Sequence, residues 1–326
     1  MNRRVIGADL LLLLTAAVWG FGFVAQRSGM QYVGPFTYNG VRFILGSLAL
    51  LPLIAYRGWP RANEKKTLLF SSFIAGTCVF FGVSLQQLGI MMTTAGNAGF
   101  ITGLYVVFTP IFGIFLGRKT GKATWIGAVF TFTGLYFLSM TGGSSGSRGS
   151  INPGDIIIAI SAVFWTFHVL IIDRLVKKTD SIALSAGQFA VAGFYALLAA
   201  FFVEPALSRW LAGGHLFAGG EGLFSWLSFP ALISGLSSGE VPLSLVSSAM
   251  IPILYGGLVS VGIGYTLQVV AQRHAHPAHA TIILCLEGCF AVLGGILLLK
   301  EPFGSRTLLG FTLMLMGMLI SQRKYR

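Results

Sequence analysis

Apolar residues in this chain come in long unbroken runs, and short polar turns separate them. Ten runs, at 7–26, 35–56, 68–88, 96–116, 123–141, 154–172, 183–203, 247–271, 278–299 and 304–321, reach the roughly 17 to 25 residues that a helix needs to cross about 30 Å of hydrocarbon. Pro35, Pro153, Pro277 and Pro302 stand at or just before the starts of runs, where the lost N–H costs little because the first amides of a helix have no intrahelical acceptor. A membrane β-barrel would instead show segments of roughly ten residues with alternating polarity. The pattern predicts an all-α integral membrane protein of ten transmembrane helices.

Composition agrees: 55% of residues are hydrophobic and 10% charged, against about 25% charged in an ordinary soluble domain. A net charge of +12 would suit a nucleic-acid partner, but its placement points elsewhere. With the N-terminus inside, sixteen Lys and Arg fall on the inner side and five on the outer side, while Arg42 lies within a span. That asymmetry follows the positive-inside rule and predicts an inner-membrane protein with both termini cytoplasmic. Membrane lipid and a small-molecule substrate are the expected partners, and nucleic acid is not. The opening "MNRRVIGADLLLLLTAA" resembles a secretory signal, but its apolar run continues through "VWGFGFVA" and is read as the first span. Cys78, Cys285 and Cys289 all fall inside spans and define no disulfide framework.

The chain also repeats itself. Residues 82–114 align without gaps on 264–296, pairing Gly82, Leu85, Gln86, Ala98, Ile101, Leu104, Phe108, Gly113 and Ile114 with Gly264, Leu267, Gln268, Ala280, Ile283, Leu286, Phe290, Gly295 and Ile296. One further residue in the next turn pairs Gly127 with Gly310 and Gly134 with Gly317. At the front, Trp19, Phe21 and Phe43 pair with Trp165, Phe167 and Phe189. Five spans per copy is an odd number, so the second copy enters from the opposite side and the repeats are inverted, a plan that recurs in secondary transporters with a midplane site. The expected domains are a first repeat over 1–141, a Gly/Ser linker over 142–153, and a second repeat over 154–326 with an outer-loop insertion at 204–246.

Two blocks, "AAVWGFGFVAQRSGMQYVGPFTYNGVRFILGSLALLPL" (16–53) and "LEGCFAVLGGILLLKEPFGSRTLLGFTLMLMGMLIS" (286–321), resemble the paired signatures of EamA-type transporters of the drug/metabolite transporter superfamily. The resemblance covers nearly the whole chain. It implies export of a metabolite or amino acid by alternating access, with no cofactor. The chain departs from the family at Gly288, where proline usually follows the glutamate, and in the long outer loop.

Among single residues, Glu287 stands out, because a carboxylate costs about 2.5 to 3.5 kcal/mol at the centre of a spanning helix. It is a candidate for proton coupling or, equally, a structural carboxyl group hydrogen-bonded across the bundle. Trp19 and Trp165 fall near the midplane, away from the interfacial belts, and either line a cavity or pack the halves together. Gln86 and Gln268 read as gating groups or as clips between helices. Tyr105 occupies the repeat position of Glu287 and should face the same cavity, and His168 lies one turn from Trp165. Arg42 either snorkels to the outer interface or receives an anionic group of a substrate. "RHAHPAHA" places His274, His276 and His279 in one turn, which keeps a metal-ion carrier as the alternative function.

Enzymatic chemistry is not expected: "GRKTGKA" lacks the spacer and the hydroxyl residue of a phosphate loop, "GGSSGSRGS" has the composition of a linker, and Glu287 is a lone midplane carboxylate.

Overall fold

A computed structural model describes residues 3–92, 95–117, 120–139, 153–212, 243–299 and 304–322, together with Pro230 and Ser234. Every described element is helical: α1 (Arg3–Gly29), α2 (Pro35–Arg57), α3 (Ala62–Ile90), α4 (Ala95–Thr102), α5 (Tyr105–Phe115), α6 (Lys122–Ser139), α7 (Pro153–Leu175), α8 (Ser181–Phe202), α9 (Glu204–Ala212), α10 (Leu243–Leu254), a π-helical stretch (Tyr255–Tyr265), α11 (Thr266–Ala271), α12 (Pro277–Leu284), α13 (Glu287–Leu299) and α14 (Ser305–Gln322).

Among the described residues, seven segments are long and apolar enough to cross a membrane: Val5–Gly29, Pro35–Arg57, Glu64–Ile90, Pro153–Leu175, Ser181–Phe202, Ser247–Ala271 and Pro277–Leu298. Tyr105–Phe115 and Leu308–Ser321 are shorter apolar helices. The expected Gly/Ser linker, apart from Pro153, lies outside the described residues, as does most of the expected outer loop. The last residues of that loop, from Leu243, already belong to α10.

Local chemistry sets several ends. Pro35 opens α2, and Gly58 stops it at φ 91°, a conformation open to glycine at little cost. Asp180 caps α8 by accepting from the Ile182 and Ala183 amides at 2.9 and 3.0 Å. Glu204, the first residue of α9, takes the place of a cap for α2. The Thr37 amide donates to its Oε2 at 2.9 Å and the Thr37 hydroxyl to its Oε1 at 2.8 Å. Burial pushes the Glu204 carboxyl up to about 7, against the pull of these bonds.

Two expected continuous spans are interrupted. The fourth breaks at Gly103 and Leu104, between α4 and α5, and the ninth at Cys285 and Leu286, between α12 and α13. Each break tightens the chain into i→i+3 hydrogen bonds, such as Val106 N–H to Gly103 O at 3.0 Å and Gly288 N–H to Cys285 O at 3.1 Å. The eighth span widens instead, running as a π-helix for 11 residues.

The principal helix contacts join the first half of the chain to the second. α6 lies along α14, α2 along α8, α3 along α7 and α8, and α1 along α13 and the π stretch. The α6–α14 seam is built on glycine: a Cβ on Gly127 would lie 2.7 Å from the Gly317 carbonyl oxygen, and one on Gly134 would lie 2.6 Å from that of Gly310. Phe43, Phe189, Leu135, Ile282 and Ile283 lie in the main core. Leu69, Phe70, Phe115 and Phe202 point outward, as lipid-facing residues of a bundle do.

Candidate functional site

A cavity lies where α1, α2, α3, α7, the π stretch and the two interrupted spans meet. Trp19, Arg42, Gln86, Tyr105, Trp165, Gln268 and Glu287 all line it. His168 does not. It sits behind the wall, fully buried, with Nε2 2.9 Å from Gln188 Oε1 and its ring edge-on to Trp165 and Tyr265.

Tyr265 is the centre of the aromatic wall and had no place among the residues expected from sequence. Its ring lies 4.5 Å from that of Trp19, 5.9 Å from Trp165, and 5.8 Å from both Phe43 and Phe189, centroid to centroid. These are the offset and tilted arrangements that aromatic quadrupoles favour. Its repeat partner, one residue after Gly82, is Val83, so the repeat gave no signal for it. Phe23 and Gln26, one and two turns beyond Trp19 on α1, also reach the cavity and were legible only as the continuation of one helix face.

Glycine lets both indoles lie close to backbone. A Cβ on Gly82 would stand 3.1 Å from Trp165 Cε2, and one on Gly264 would stand 2.8 Å from Trp19 Nε1. Gly82 and Gly264, which align in the sequence, thus seat Trp165 and Trp19.

An arginine and a carboxyl group both face the cavity. Arg42 is 2% exposed, donates from Nε to Asn39 Oδ1 at 3.0 Å, and holds its guanidinium 5.2 Å from the Tyr38 ring centroid and 5.1 Å from that of Phe43. It stays inside the bundle rather than extending to the interface. Glu287 is 4% exposed and accepts from the Tyr105 hydroxyl at 3.1 Å. Among the described residues neither forms an ion pair, with the other or with any third group.

Neutral polar atoms complete the lining. Gln86 Nε2 donates to Thr102 Oγ1 at 3.0 Å, Trp19 Nε1 to Ser260 O at 3.3 Å, and Gln268 Nε2 to Gln272 Oε1 at 3.1 Å. Trp165 Nε1, Gln26 Oε1 and Gln268 Oε1 are buried without a hydrogen-bond partner among the described residues. Buried polar atoms are rarely left so unless a ligand or water meets them. The centre of a water molecule can occupy about 40 Å³ of the cavity. One water needs about 10–15 Å³ by that measure, so the space holds a few waters and must widen to take a larger solute.

The histidine turn does not gather. His279 is bound to Asp9 Oδ1 at 2.9 Å and Ser321 Oγ at 3.0 Å, while His274 points outward. Among the described residues no three His, Cys, Asp or Glu side chains come together to hold a metal ion.

Known proteins are similar to this chain. An uncharacterized transporter of Archaeoglobus fulgidus is 28% identical over 315 residues, covering 96% of this chain and 85% of its own. The uncharacterized inner membrane transporter YedA of Escherichia coli is 27% identical over 61% of this chain and 65% of its own. A solved crystal structure, 15% identical, superposes with a TM-score of 0.71 over 96% of both chains, a likeness of fold. The model of the EamA-like transporter family matches residues 6–140 and 225–322. The chain belongs to the EamA-like transporter family and is a membrane transporter.

Proposed function

We propose that this protein is a ten-span secondary transporter of two inverted five-helix repeats, exporting a small organic metabolite, an amino acid, across the inner membrane by alternating access. Both termini lie on the cytoplasmic side in this reading, which the distribution of Lys and Arg supports.

Support for the inverted repeat comes from contacts that a two-fold relation would exchange. Gly82 meets Trp165 and Gly264 meets Trp19; Gly127 meets Gly317 and Gly134 meets Gly310. Positions that would sit on the axis meet their own counterparts: Phe43 with Phe189 at 6.0 Å, Cys285 Sγ with Gly103 O at 3.4 Å, and Tyr105 with Glu287.

The observation that carries the substrate class is the pair of Arg42 and Glu287, a buried cationic side chain and a buried carboxyl group that line one cavity and are not bonded to each other. A carboxylate on Arg42 and an ammonium group near Glu287 would neutralise both, and the wall of Trp19, Trp165 and Tyr265 would take an apolar or aromatic side chain. Glu287 would also carry the proton that couples transport to a pH gradient. The breaks in the fourth and ninth spans support a midplane site, since interrupted helices recur at the binding sites of secondary transporters.

The test is counterflow in proteoliposomes with a pooled set of amino acids and related metabolites, with and without an imposed pH gradient. Flux of one zwitterionic solute that responds to the gradient in wild type and not in Glu287→Gln is the expected result. Flux of divalent metal alone would return the reading to a metal carrier.

A further inference from the structure

A second cavity, separate in its lining from the central one, opens at one end of the bundle. Glu64 and Leu68 of α3, Arg273, and the turn from Lys177 to Asp180 between α7 and α8 line it. It admits water centres over about 300 Å³, far more than the central cavity. A neighbouring hollow shares its Glu64 and Asp180 wall and adds Arg57, Trp59 and Arg61. The spans α2, α3, α7 and α8 all end here, so both hollows lie at the depth of lipid headgroups.

Five cations, Arg57, Arg61, Lys177, Lys178 and Arg273, surround this space against two lining carboxylates, with Lys177 also paired to Asp173 at 3.3 Å. Both carboxylates are already engaged. Asp180 accepts from two α8 amides and from Arg57 Nη2 at 3.5 Å, and Glu64 accepts from the Arg61 amide at 3.3 Å. Arg273 donates to the neutral Thr179 carbonyl at 2.9 Å, which leaves its charge unbalanced. Just beside this rim the surface turns apolar. Leu69 and Phe70 of α3 are 71% and 65% exposed, and Tyr56 and Trp59 are 90% and 64% exposed at the level where aromatic side chains anchor in the interface.

We propose that this cavity binds the phosphate of an anionic phospholipid, held by Lys178 and Arg273, with its acyl chains along the exposed Leu69 and Phe70 face of α3. Cationic recesses between spanning helices are sites of this kind. The lipid would bridge α3 to the α7–α8 turn, joining the first half of the chain to the second.

Thermal unfolding of the full chain in detergent, with phosphatidylglycerol, phosphatidylcholine or inorganic phosphate added, tests this. The expected result is a rise in Tm with phosphatidylglycerol alone, most of which is lost in Lys178→Gln/Arg273→Gln. A control variant, Arg209→Gln/Arg306→Gln, removes two cations elsewhere and should keep the rise. Equal stabilisation by phosphatidylcholine, stabilisation by inorganic phosphate as large as by the lipid, or equal loss in both variants would overturn the proposal. Should the cavity variant prove too unstable to purify, Lys178→Gln alone is compared with Arg209→Gln by the lipid adducts each retains in native mass spectrometry. Equal retention of phosphatidylglycerol would again overturn it.

Discussion

The Tyr105 hydroxyl donates to Glu287 Oε1 at 3.1 Å, and each residue is the first of the second half of an interrupted span. Their separation of 182 residues equals the offset at which residues 82–114 align on 264–296. Removing the phenol leaves a buried carboxyl group without its donor, at a cost of about 1–3 kcal/mol. Tyr105→Phe should therefore lower Tm more than Tyr105→Phe does in a Glu287→Met background, which leaves no acceptor for the hydroxyl. A double-mutant cycle on thermal stability should return a coupling of about 1 kcal/mol or more.

Arg42 offers the fork geometry that a carboxylate accepts. Arg42→Gln should weaken apparent affinity for the transported zwitterion about 10- to 100-fold, the loss of one charge-assisted hydrogen-bonding group. The effect should shrink for an analogue lacking the carboxylate. Lysine should not restore it, because an ammonium group has no planar pair of donors. Competition of unlabelled analogues against labelled substrate in counterflow measures all three.

A methyl group at Gly264 would stand 2.8 Å from Trp19 Nε1 and must move either the indole or the helix. Gly264→Ala should cost about 1–3 kcal/mol, as overpacking does, and should break the Trp19 bond to Ser260 O. Gly82→Ala, at 3.1 Å from Trp165, should act in the same direction and more mildly. Tryptophan fluorescence with Tm reports both effects.

Glu204 gives a pH dependence with a definite sign. Its carboxyl is raised from the ordinary 4.5 to about 7 in the folded protein, so the folded state binds the proton more tightly. The stability it lends is full below pH 4.5 and is lost as pH rises to 7, a difference of at most about 3 kcal/mol. Glu204→Gln, which accepts the Thr37 amide and cannot ionise, should flatten Tm over that window. At pH 8 it should equal or exceed wild type.

The all-helical, membrane-spanning character was legible in the sequence because hydrocarbon leaves the backbone no other partner; of the ten expected spans, seven are long and apolar enough to cross among the described residues. The cavity was legible where the repeat preserved an unusual side chain, as at Trp19 and Trp165, or where a charge stood in an apolar run, as at Arg42 and Glu287. Tyr265 escaped because its counterpart is Val83, and aromatic residues are common throughout the chain. The breaks escaped for another reason. Neither Cys285 nor Leu286 is a helix breaker, and a turn of i→i+3 bonds needs no special residue. His168 lies one turn from Trp165 yet behind the cavity wall, since helical periodicity gives a face but not the depth at which Gln188 holds the ring.

The glycine seam between α6 and α14 has a mechanical consequence. Where two backbones touch without side chains between them, no rotamer can change to let one helix slide along the other. The two helices then form a single beam, roughly 27 Å long at 1.5 Å per residue, with its two clamps seven residues apart. Widening of the central cavity must be accommodated elsewhere, in the turns of the interrupted spans and the loosely wound π stretch, while this beam holds its length and angle.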